Sequence, residues 1–479
     1  MMTEVEKATA LDWLNEHEEL VVDAHQRAWE LAEVGLQEME TSRLLADILE
    51  AHGFEVERSV AGMPSAFVAT YGSGAPVIGM LAELDALPGL SQEAVPYRRP
   101  REEGDAGHGC GHCGYAATAL GAALAVKAAM DTHQLAGTIK CFGCPAEETL
   151  VGKVFMAREG LFDDLDACLG HHPGSANAVF LGSGNAMNSM KVEFFGRASH
   201  AGGSPEQGIS ALDAVELMNV GVNYMREHVV QETRMHYVIE EGGHEPNVVP
   251  AYARSWYYVR APQRDLVDRY YEWVLRIAEG ADLMAGTTHK VRFLTGVHDG
   301  VANRPLADLV VANMRQIGAP SYTQEELSFA AELAQSISHE EKRAALRKSH
   351  LPDALDLMDV DINTCIYDPY GEGQKSGGST DVAEVSWLTP TVEFSTASFV
   401  VGIPGHSWQN VASCGTSIGH KSSRFAAKVM AATVVDLLTQ PSELAEVRQD
   451  WEDRMTDRTY VSPLPPDLQP PLDQLKPSH

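Results

Sequence analysis

Residues 108–117 read His-Gly-Cys-Gly-His-Cys-Gly-Tyr-Ala-Ala, and three different structures are compatible with this stretch. The spacing of Cys110 and Cys113 is that of a dithiol redox motif, which requires a thioredoxin-like unit around it. With the Cys-Phe-Gly-Cys stretch at 141–144 it also resembles the paired CxxC units of a zinc ribbon. Alternatively, only Cys110 and His112 are functional. Two residues apart in an extended segment, their side chains point the same way and can share a catalytic metal.

The residues around the motif favour the metal interpretation. Between the two CxxC units lie a predicted buried helix of small residues (114–130) and a strand (138–144), whereas the knuckles of a zinc ribbon lie on short hairpins. The first unit is also embedded among glycines and polar residues, far from any compact thioredoxin-sized domain. Neither CxxC interpretation therefore explains the chain well.

The bulk composition predicts a soluble protein of two domains. A chain of 479 residues, 44% of them hydrophobic, is too long for one ordinary core. The net charge of −31 disfavours nucleic acid and anionic membranes as partners, and an acidic substrate would need a local cationic site. Seven cysteines are few and odd in number, and the acidic N-terminus does not resemble a signal peptide. The expected compartment is the cytoplasm.

Alternating strands and helices predict an α/β fold, with a mostly parallel sheet covered by helices. Helical patterns are expected near the N-terminus, over about 5–34 and from 41 to about 53. Residues 187–299 instead follow the order strand–helix–strand–strand–helix–strand, which is typical of the ferredoxin-like (split βαβ) arrangement. The predicted division is a catalytic domain over 1–186 and 300–479, with 321–375 a partly helical elaboration, and an inserted domain over 187–299.

Groups that can bind metal follow several of the predicted strands. Glu147 and Glu148 follow one strand, His172 ends another, and His406 comes after an apolar strand near the C-terminus. Because the carboxyl ends of parallel strands meet at one edge of a sheet, these groups are expected to lie close together. A single histidine or an isolated pair of glutamates is more often structural. Several such groups in one α/β domain indicate a hydrolytic metal centre.

The motifs HGCGHC, GCPAEE, GHHPG, PNVVP and STDVAEVSW, in this order, resemble the amidohydrolase branch of the aminoacylase/glutamate carboxypeptidase metallopeptidase superfamily. The likeness runs from residues 81–92 to 415–421, and so covers most of the chain. The resemblance implies a dinuclear centre of two divalent ions, Mn²⁺ or Zn²⁺. The implied ligands are Cys110, His112, Glu148, His172 and His406. His171 is the neighbouring alternative to His172.

The resemblance also implies a role for four further residues. Glu147 would be the general base, taking a proton from water and later giving it to the leaving amine. The inserted domain would be a lid and dimerisation domain, whose His200 steadies the tetrahedral oxyanion, often in the partner subunit's site. Asn247 and Arg260 would hold the substrate carboxylate, for which arginine has a suitable bidentate geometry.

Two departures from the family pattern leave metal and substrate open. Cys113 stands where the family usually has Asp or Asn, and a soft thiol there changes the possible metal preference. Residues 149–151 replace the Gly-rich turn that usually follows the glutamate pair. Because this turn lies beside the expected pocket, the substrate can differ from that of relatives.

We therefore expect a metal-dependent amidohydrolase that cleaves the amide bond of an N-acyl or N-aroyl amino acid, such as p-aminobenzoyl-glutamate. The alternatives are an aromatic aminohydrolase (deaminase) or a dipeptidase that uses the same site, and an inactive scaffold or regulatory subunit. The expected assembly is a homodimer, or a hetero-oligomer with a related subunit.

Overall fold

A computed structural model describes residues 2–472 of the chain, with side chains from residue 4 onward. The end of the predicted Pro-rich tail, 473–479, lies outside the described residues. The helices, in chain order, are α1 (Met2–Glu16), α2 (Glu18–Leu31), α3 (Met39–Ala51), α4 (His112–His133), α5 (Gly152–Arg158), α6 (Ala211–Met225), α7 (Arg264–Ala285), α8 (Arg304–Ile317), α9 (Gln324–Ala334), α10 (His339–Lys348), α11 (Val382–Ser386), α12 (Trp408–Cys414), α13 (Ser417–Thr439) and α14 (Pro441–Met455). The strands are β1 (Glu55–Arg58), β2 (Phe67–Ser73), β3 (Val77–Glu83), β4 (Gly137–Cys144), β5 (Ala167–Gly174), β6 (Ala178–Val179), β7 (Ala186–Phe195), β8 (Arg234–Glu241), β9 (Tyr252–Ala261), β10 (Thr288–Val297) and β11 (Thr391–Ala397).

A seven-stranded sheet forms the centre of the larger part of the molecule. Its strand order is β1-β2-β4-β3-β5-β11-β6. The four central strands, β4, β3, β5 and β11, are parallel, and the strands outside them pair antiparallel. Successive side chains of β3 enter opposite cores, since Met80 packs with α4 and α13 while Leu81 packs with α5. The α/β fold with covered faces is thus confirmed.

Helix α4 is almost entirely buried against this sheet. Its alanines and glycines allow α1, α2 and α13 to approach closely; a Cβ at Gly121 would lie 2.8 Å from the Val21 side chain. By length and composition α4 is also apolar enough to cross a membrane, but 89% of its apolar window is buried inside the protein. Packing inside the core accounts for its composition.

The second sheet has four antiparallel strands in the order β10-β7-β9-β8. Helices α6 and α7 pack on it around Met190, Val192 and Phe194 of β7. The element order β7-α6-β8-β9-α7-β10 with this strand order is the ferredoxin-like arrangement. Strand β9 alternates buried and half-buried residues along its whole length, which fits one face packed against helices.

The N-terminal helix differs from expectation. The single helix predicted over about 5–34 is two helices, α1 and α2, because the chain breaks at His17 and α2 ends at Leu31. The next predicted helix, from residue 41, is α3 and begins two residues earlier. Apolar spacing continues across residue 17, so the pattern carried no signal for the break.

Candidate metal centre

Cys110 and His112 lie where the chain enters α4. Gly111 between them has φ +87°, and a Cβ there would come within 2.9 Å of both Phe399 and Pro173. Only glycine fits this turn without strain. The turn brings Cys110 Sγ to 3.2 Å from Nε2 of His172, which lies on β5. Two distant motifs therefore meet at the carboxyl edge of the parallel strands.

His112 is oriented by the end of β3. Its Nδ1 lies 3.0 Å from both the carboxylate and the main-chain oxygen of Asp85. Because both are acceptors, Nδ1–H donates, and Nε2 is left with a lone pair. This Nε2 is buried, 3.2 Å from Glu83 Oε2 and 4.0 Å from Glu147 Oε2, and no residue in the described part of the chain forms a hydrogen bond with it. An imidazole held by a carboxylate, with its other nitrogen free, is the usual arrangement of a metal ligand.

Glu148 and His406 form a second group around the same thiol. The donor atoms of Cys110, Glu148 and His406 lie within 4.8 Å of one another, as do those of Cys110, His112 and His172. His406 Nε2 is 3.4 Å from Glu148 Oε2, and Glu148 Oε1 is buried with no hydrogen bond to residues 2–472. Cys110 is common to both groups, so the structure brings together all five residues named as ligands.

The two adjacent histidines face opposite ways. Both ring nitrogens of His171 are occupied by hydroxyl groups, Nδ1 by Thr118 at 3.0 Å and Nε2 by Thr396 at 2.7 Å. His172 instead donates Nδ1–H to the Pro173 carbonyl at 2.9 Å, and its Nε2 faces Cys110. The geometry favours His172 over His171 as a metal ligand.

Glu147 lies in a tight turn after β4. Ala146 and Leu150 on either side of the turn have φ of +55° and +57°, a left-handed conformation that is uncommon for such residues. Glu147 is buried at the cavity. Burial, followed by the charges of Glu83 and Asp381, holds the pKa of the Glu147 carboxyl well above its usual range. A carboxyl group with a raised pKa can both accept and return a proton near neutral pH.

A buried lysine lies behind the candidate metal centre, and no sequence motif predicts its role. Lys153 Nζ lies 2.8 Å from Glu83 Oε1 and 2.6 Å from Asp381 Oδ1, and all three side chains are buried. Glu83 could be recognised from the pair of carboxylates that ends β3. Lys153 carries a weaker signal, as a charge inside the apolar segment Val-Gly-Lys-Val-Phe.

Negatively charged side chains are packed closely in the site, and their pKa values are shifted as a result. Burial opposes ionisation of Cys110, but the adjoining His172 and His112 outweigh it and hold the thiol pKa well below its usual range. Burial and the charge of Cys110 raise the pKa of Glu148 to about 8. Burial opposes protonation of His112, but the charges of Cys110 and Glu83 outweigh it and raise the imidazole pKa. Protons thus balance closely packed negative groups, and divalent ions could replace them.

Thiolate and imidazole donors suit Zn²⁺, and carboxylate donors suit Mn²⁺. Two of these donors, His112 Nε2 and Glu148 Oε1, are buried and form no hydrogen bond within the part of the chain that the structure describes. The residues present therefore fit a dinuclear centre.

A cavity of about 720 Å³ opens above these residues. Arg260 and Tyr258, from β9 of the four-stranded sheet, line its wall. The Arg260 guanidinium lies 5.5 Å from the Tyr258 ring centre, and its Nε has no hydrogen-bond partner among the described residues. Arg260 is thus free to bind an anionic group in the cavity.

His200 and Asn247 lie elsewhere on the described chain. Both are exposed, and they are neighbours, since His200 forms a β-bridge with Val248. The His200 ring accepts hydrogen bonds from the amides of Gly202 and Gly203 at 3.1 and 2.9 Å. Neither His200 nor Asn247 is among the described residues that line the cavity of their own chain. Their expected roles stay predictions.

The chain is similar in sequence and in fold to known proteins. The profile of peptidase family M20/M25/M40 matches residues 79–436. The chain is 37% identical to one of the subunits of p-aminobenzoyl-glutamate hydrolase of Escherichia coli, over 94% of its own length and 95% of the relative's. It is 26% identical to the Xaa-Arg dipeptidase of Mus musculus, over 84% and 81% of the two chains. The crystal structure of Bacillus subtilis YXEP, a dinuclear metal-binding peptidase of the M20 family, superposes with a TM-score of 0.53. It is 18% identical and covers 88% of this chain and 98% of its own, which shows a shared fold.

Proposed function

This chain belongs to peptidase family M20/M25/M40 and is a metal-dependent amidohydrolase, and we propose that it cleaves N-acyl or N-aroyl amino acids that carry a free carboxylate. The convergence of five metal-binding side chains, four of which line one cavity together with Arg260, carries this proposal. The similarity to p-aminobenzoyl-glutamate hydrolase supports p-aminobenzoyl-glutamate as the substrate to test first.

Cys110, His112, Glu148, His172 and His406 would hold two divalent ions, Mn²⁺ or Zn²⁺. The chemistry that such ions would supply there is Lewis acidity toward the amide carbonyl and the attacking water. The side chains of the protein do the rest. Asp85 fixes the His112 ring through Nδ1, and Lys153 fixes Glu83 behind it.

Glu147 carries the proton in this mechanism. One of its carboxylate oxygens takes a proton from the attacking water, and the same group delivers it to the amine nitrogen when the amide bond breaks. Its burial supports the assignment, since a carboxyl with a raised pKa can perform both transfers.

The substrate carboxylate binds Arg260 in this proposal, through two parallel N–H···O bonds. His200 and Asn247 act from the partner subunit of a dimer, His200 as a donor to the oxyanion. Because the relative is named as one subunit of its enzyme, a hetero-oligomer with a related chain is a second assembly to test.

A dipeptidase is the second candidate, because the similarity to an Xaa-Arg dipeptidase extends over most of both chains. It needs the same five ligands, base and carboxylate site. Only the groups on the two sides of the scissile bond differ.

Replacement of Glu147 by Gln tests the proposal. Glutamine keeps the shape of the side chain but cannot accept the proton, so turnover of p-aminobenzoyl-glutamate should fall by roughly 10²–10⁴-fold. Bound metal, measured by elemental analysis, should stay at the wild-type level. The matched variant Glu148→Gln should lose metal as well as turnover. Full activity of Glu147→Gln would end the assignment.

A substrate panel separates the reactions. Release of glutamate from p-aminobenzoyl-glutamate indicates the amidohydrolase, release of arginine from dipeptides indicates the dipeptidase, and ammonia from aminobenzoates indicates a deaminase. A metal-loaded wild type that is inactive on all three classes would favour the scaffold alternative.

A further inference from the structure

A second cluster of metal-binding side chains lies next to the candidate metal centre. Cys113 in the first turn of α4, Cys414 at the end of α12 and His25 of α2 meet in the core, and all three are fully buried. The proposed hydrolytic mechanism uses none of them. Cys113 follows the ligand His112 directly, at the position where the chain departs from the family pattern.

The donor atoms are spaced as ligands of one ion. The two sulfurs lie 3.4 Å apart. His25 Nε2 lies 3.5 Å from Cys113 Sγ and 3.6 Å from Cys414 Sγ. Zn–S bonds of about 2.3 Å and Zn–N bonds of about 2.0–2.1 Å place neighbouring donors of a tetrahedral ion roughly 3.5–3.8 Å apart. A disulfide would require about 2.05 Å between the sulfurs. Small shifts complete a metal site, whereas a disulfide requires the sulfurs to move much closer.

A bound ion would change the hydrogen bonds of His25. The Cys414 carbonyl oxygen can only accept, so without an ion Nε2–H donates to it at 3.0 Å and Nδ1 accepts from the Ser423 hydroxyl at 2.8 Å. An ion at Nε2 would select the other tautomer, whose Nδ1–H donates to the Ser423 oxygen while the Ser423 hydroxyl donates to the Gly419 carbonyl at 3.1 Å. One nitrogen, two sulfurs and an oxygen face each other in a shell of apolar side chains. A cation would satisfy all four donors.

We propose that Cys113, Cys414 and His25 bind a third ion, a thiophilic d¹⁰ cation such as Zn²⁺, in a site separate from the hydrolytic pair. The site is closed to solvent, which is typical of a structural zinc. It joins the start of α4, beside His112, to the end of α12, the helix that follows His406. The ion therefore ties together two segments that carry ligands of the candidate metal centre.

Cobalt binding tests this proposal independently of catalysis. The Cys110→Ala variant removes the thiol of the candidate hydrolytic centre, so a thiolate-to-cobalt charge-transfer band in the metal-stripped, reduced protein then reports other thiols. We expect the band to reach the intensity of one thiolate-bound Co²⁺ per chain and to persist after dialysis against metal-free buffer. Adding Cys414→Ala should abolish it. Adding Cys365→Ala, at an exposed cysteine, should leave it unchanged.

Cys113→Asn gives a second variant, with the residue type that the family usually carries there. In the Cys110→Ala background it should also lose the band while circular dichroism stays native. A folded Cys110→Ala protein without the band, or a band that survives Cys414→Ala or Cys113→Asn, would overturn the proposal. A disulfide between Cys113 and Cys414 would also overturn the proposal. It would appear as a native mass two hydrogens lighter than that of the reduced chain, together with loss of the Cys113 and Cys414 thiols. Turnover of p-aminobenzoyl-glutamate by wild type is measured separately, so either proposal can fail alone.

Discussion

Arg260 belongs to the four-stranded sheet but faces the cavity of the seven-stranded one. A lysine at this position keeps the charge and loses the bidentate geometry. We expect Arg260→Lys to raise KM for p-aminobenzoyl-glutamate by about 10–100-fold, the range of one charge-assisted hydrogen bond, with a smaller change in kcat. Arg254→Lys is the matched control on the same strand, since Arg254 pairs with Glu240 instead. Initial rates with both variants check this; an unchanged KM would remove Arg260 from the substrate site.

Glu148 couples metal binding to pH. With a pKa raised to about 8 by burial and Cys110, its carboxyl is mostly protonated at neutral pH in the metal-free protein. Since the raised value favours the protonated form, the metal-free fold loses stability as the pH rises through about 8. A bound cation displaces this proton, so affinity should rise with pH by roughly tenfold per unit below that value.

Mn²⁺ titration calorimetry in buffers of different ionisation enthalpy measures both effects. Proton release should be larger near pH 7 than above about pH 9, because Glu148 contributes a proton only at the lower pH. An affinity that does not change with pH would show that Glu148 carries no proton that the metal must displace.

At the level of single residues, the ordered motifs identified the side chains that the structure brings together around Cys110. The missed contributors are those whose partners are distant in the chain. Lys153 meets Glu83 and Asp381, 70 and 228 residues away, and nothing near Lys153 indicates either contact. The apolar residues around Lys153 in the sequence indicate only that its charge is buried, and do not indicate which carboxylates pair with it.

The junction before α4 is where local conformation determines the site. Gly111→Ala introduces a Cβ at φ +87° and within 2.9 Å of Phe399 and Pro173. We expect a loss of unfolding free energy of about 1–3 kcal/mol, together with weaker metal binding, because Cys110 and His112 flank the turn. Urea denaturation and metal titration measure the two effects.

Gly280 provides the opposite control. It lies inside α7, and a Cβ there would meet nothing within 4 Å. Gly280→Ala should therefore stabilise the protein by roughly 0.5–1 kcal/mol without changing metal affinity. Equal effects of the two substitutions would show that the left-handed turn is not what positions the ligands.

Among the elements, β4 and α4 followed from the local residue pattern, since they fall where a strand over 138–144 and a small-residue helix over 114–130 were predicted. The break between α1 and α2 did not. Its residues keep helical spacing, and tertiary packing of α1 against α4 and α13 decides where the chain turns. Local pattern therefore located elements better than their ends.

Across the whole molecule, the element order of 187–299 was sufficient to predict the ferredoxin-like unit, whose strands β10-β7-β9-β8 pair as that order requires. The seven-stranded sheet was predicted only as a class. Its neighbours β5 and β11 are separated by more than 200 residues, and no local pattern specifies such a pairing. The predicted domain boundaries and the lid role of the inserted unit stay predictions.

The positions of His200 and Asn247 lead to a prediction about assembly. Both are exposed and neither lines the cavity of its own chain among described residues. If His200 acts in the partner's site, the inactive variants Glu147→Gln and His200→Ala should complement each other. A mixed dimer then contains one site with the native Glu147 and His200 together. Random reassociation of equal amounts should restore about one quarter of wild-type turnover, because half of the dimers are mixed and each has one native site.

Turnover of p-aminobenzoyl-glutamate after mixing, unfolding and refolding the two variants measures this. Glu147→Gln mixed with Arg260→Ala is the matched control. Both of these residues line the same cavity, so every mixed site lacks one of them and no activity should return. Recovery in the first mixture alone would require His200 to act across the dimer interface. Failure of the first mixture, with dimers demonstrated by light scattering, would mean that His200 acts within its own chain, because a His200 that acts in trans would give every mixed dimer one native site.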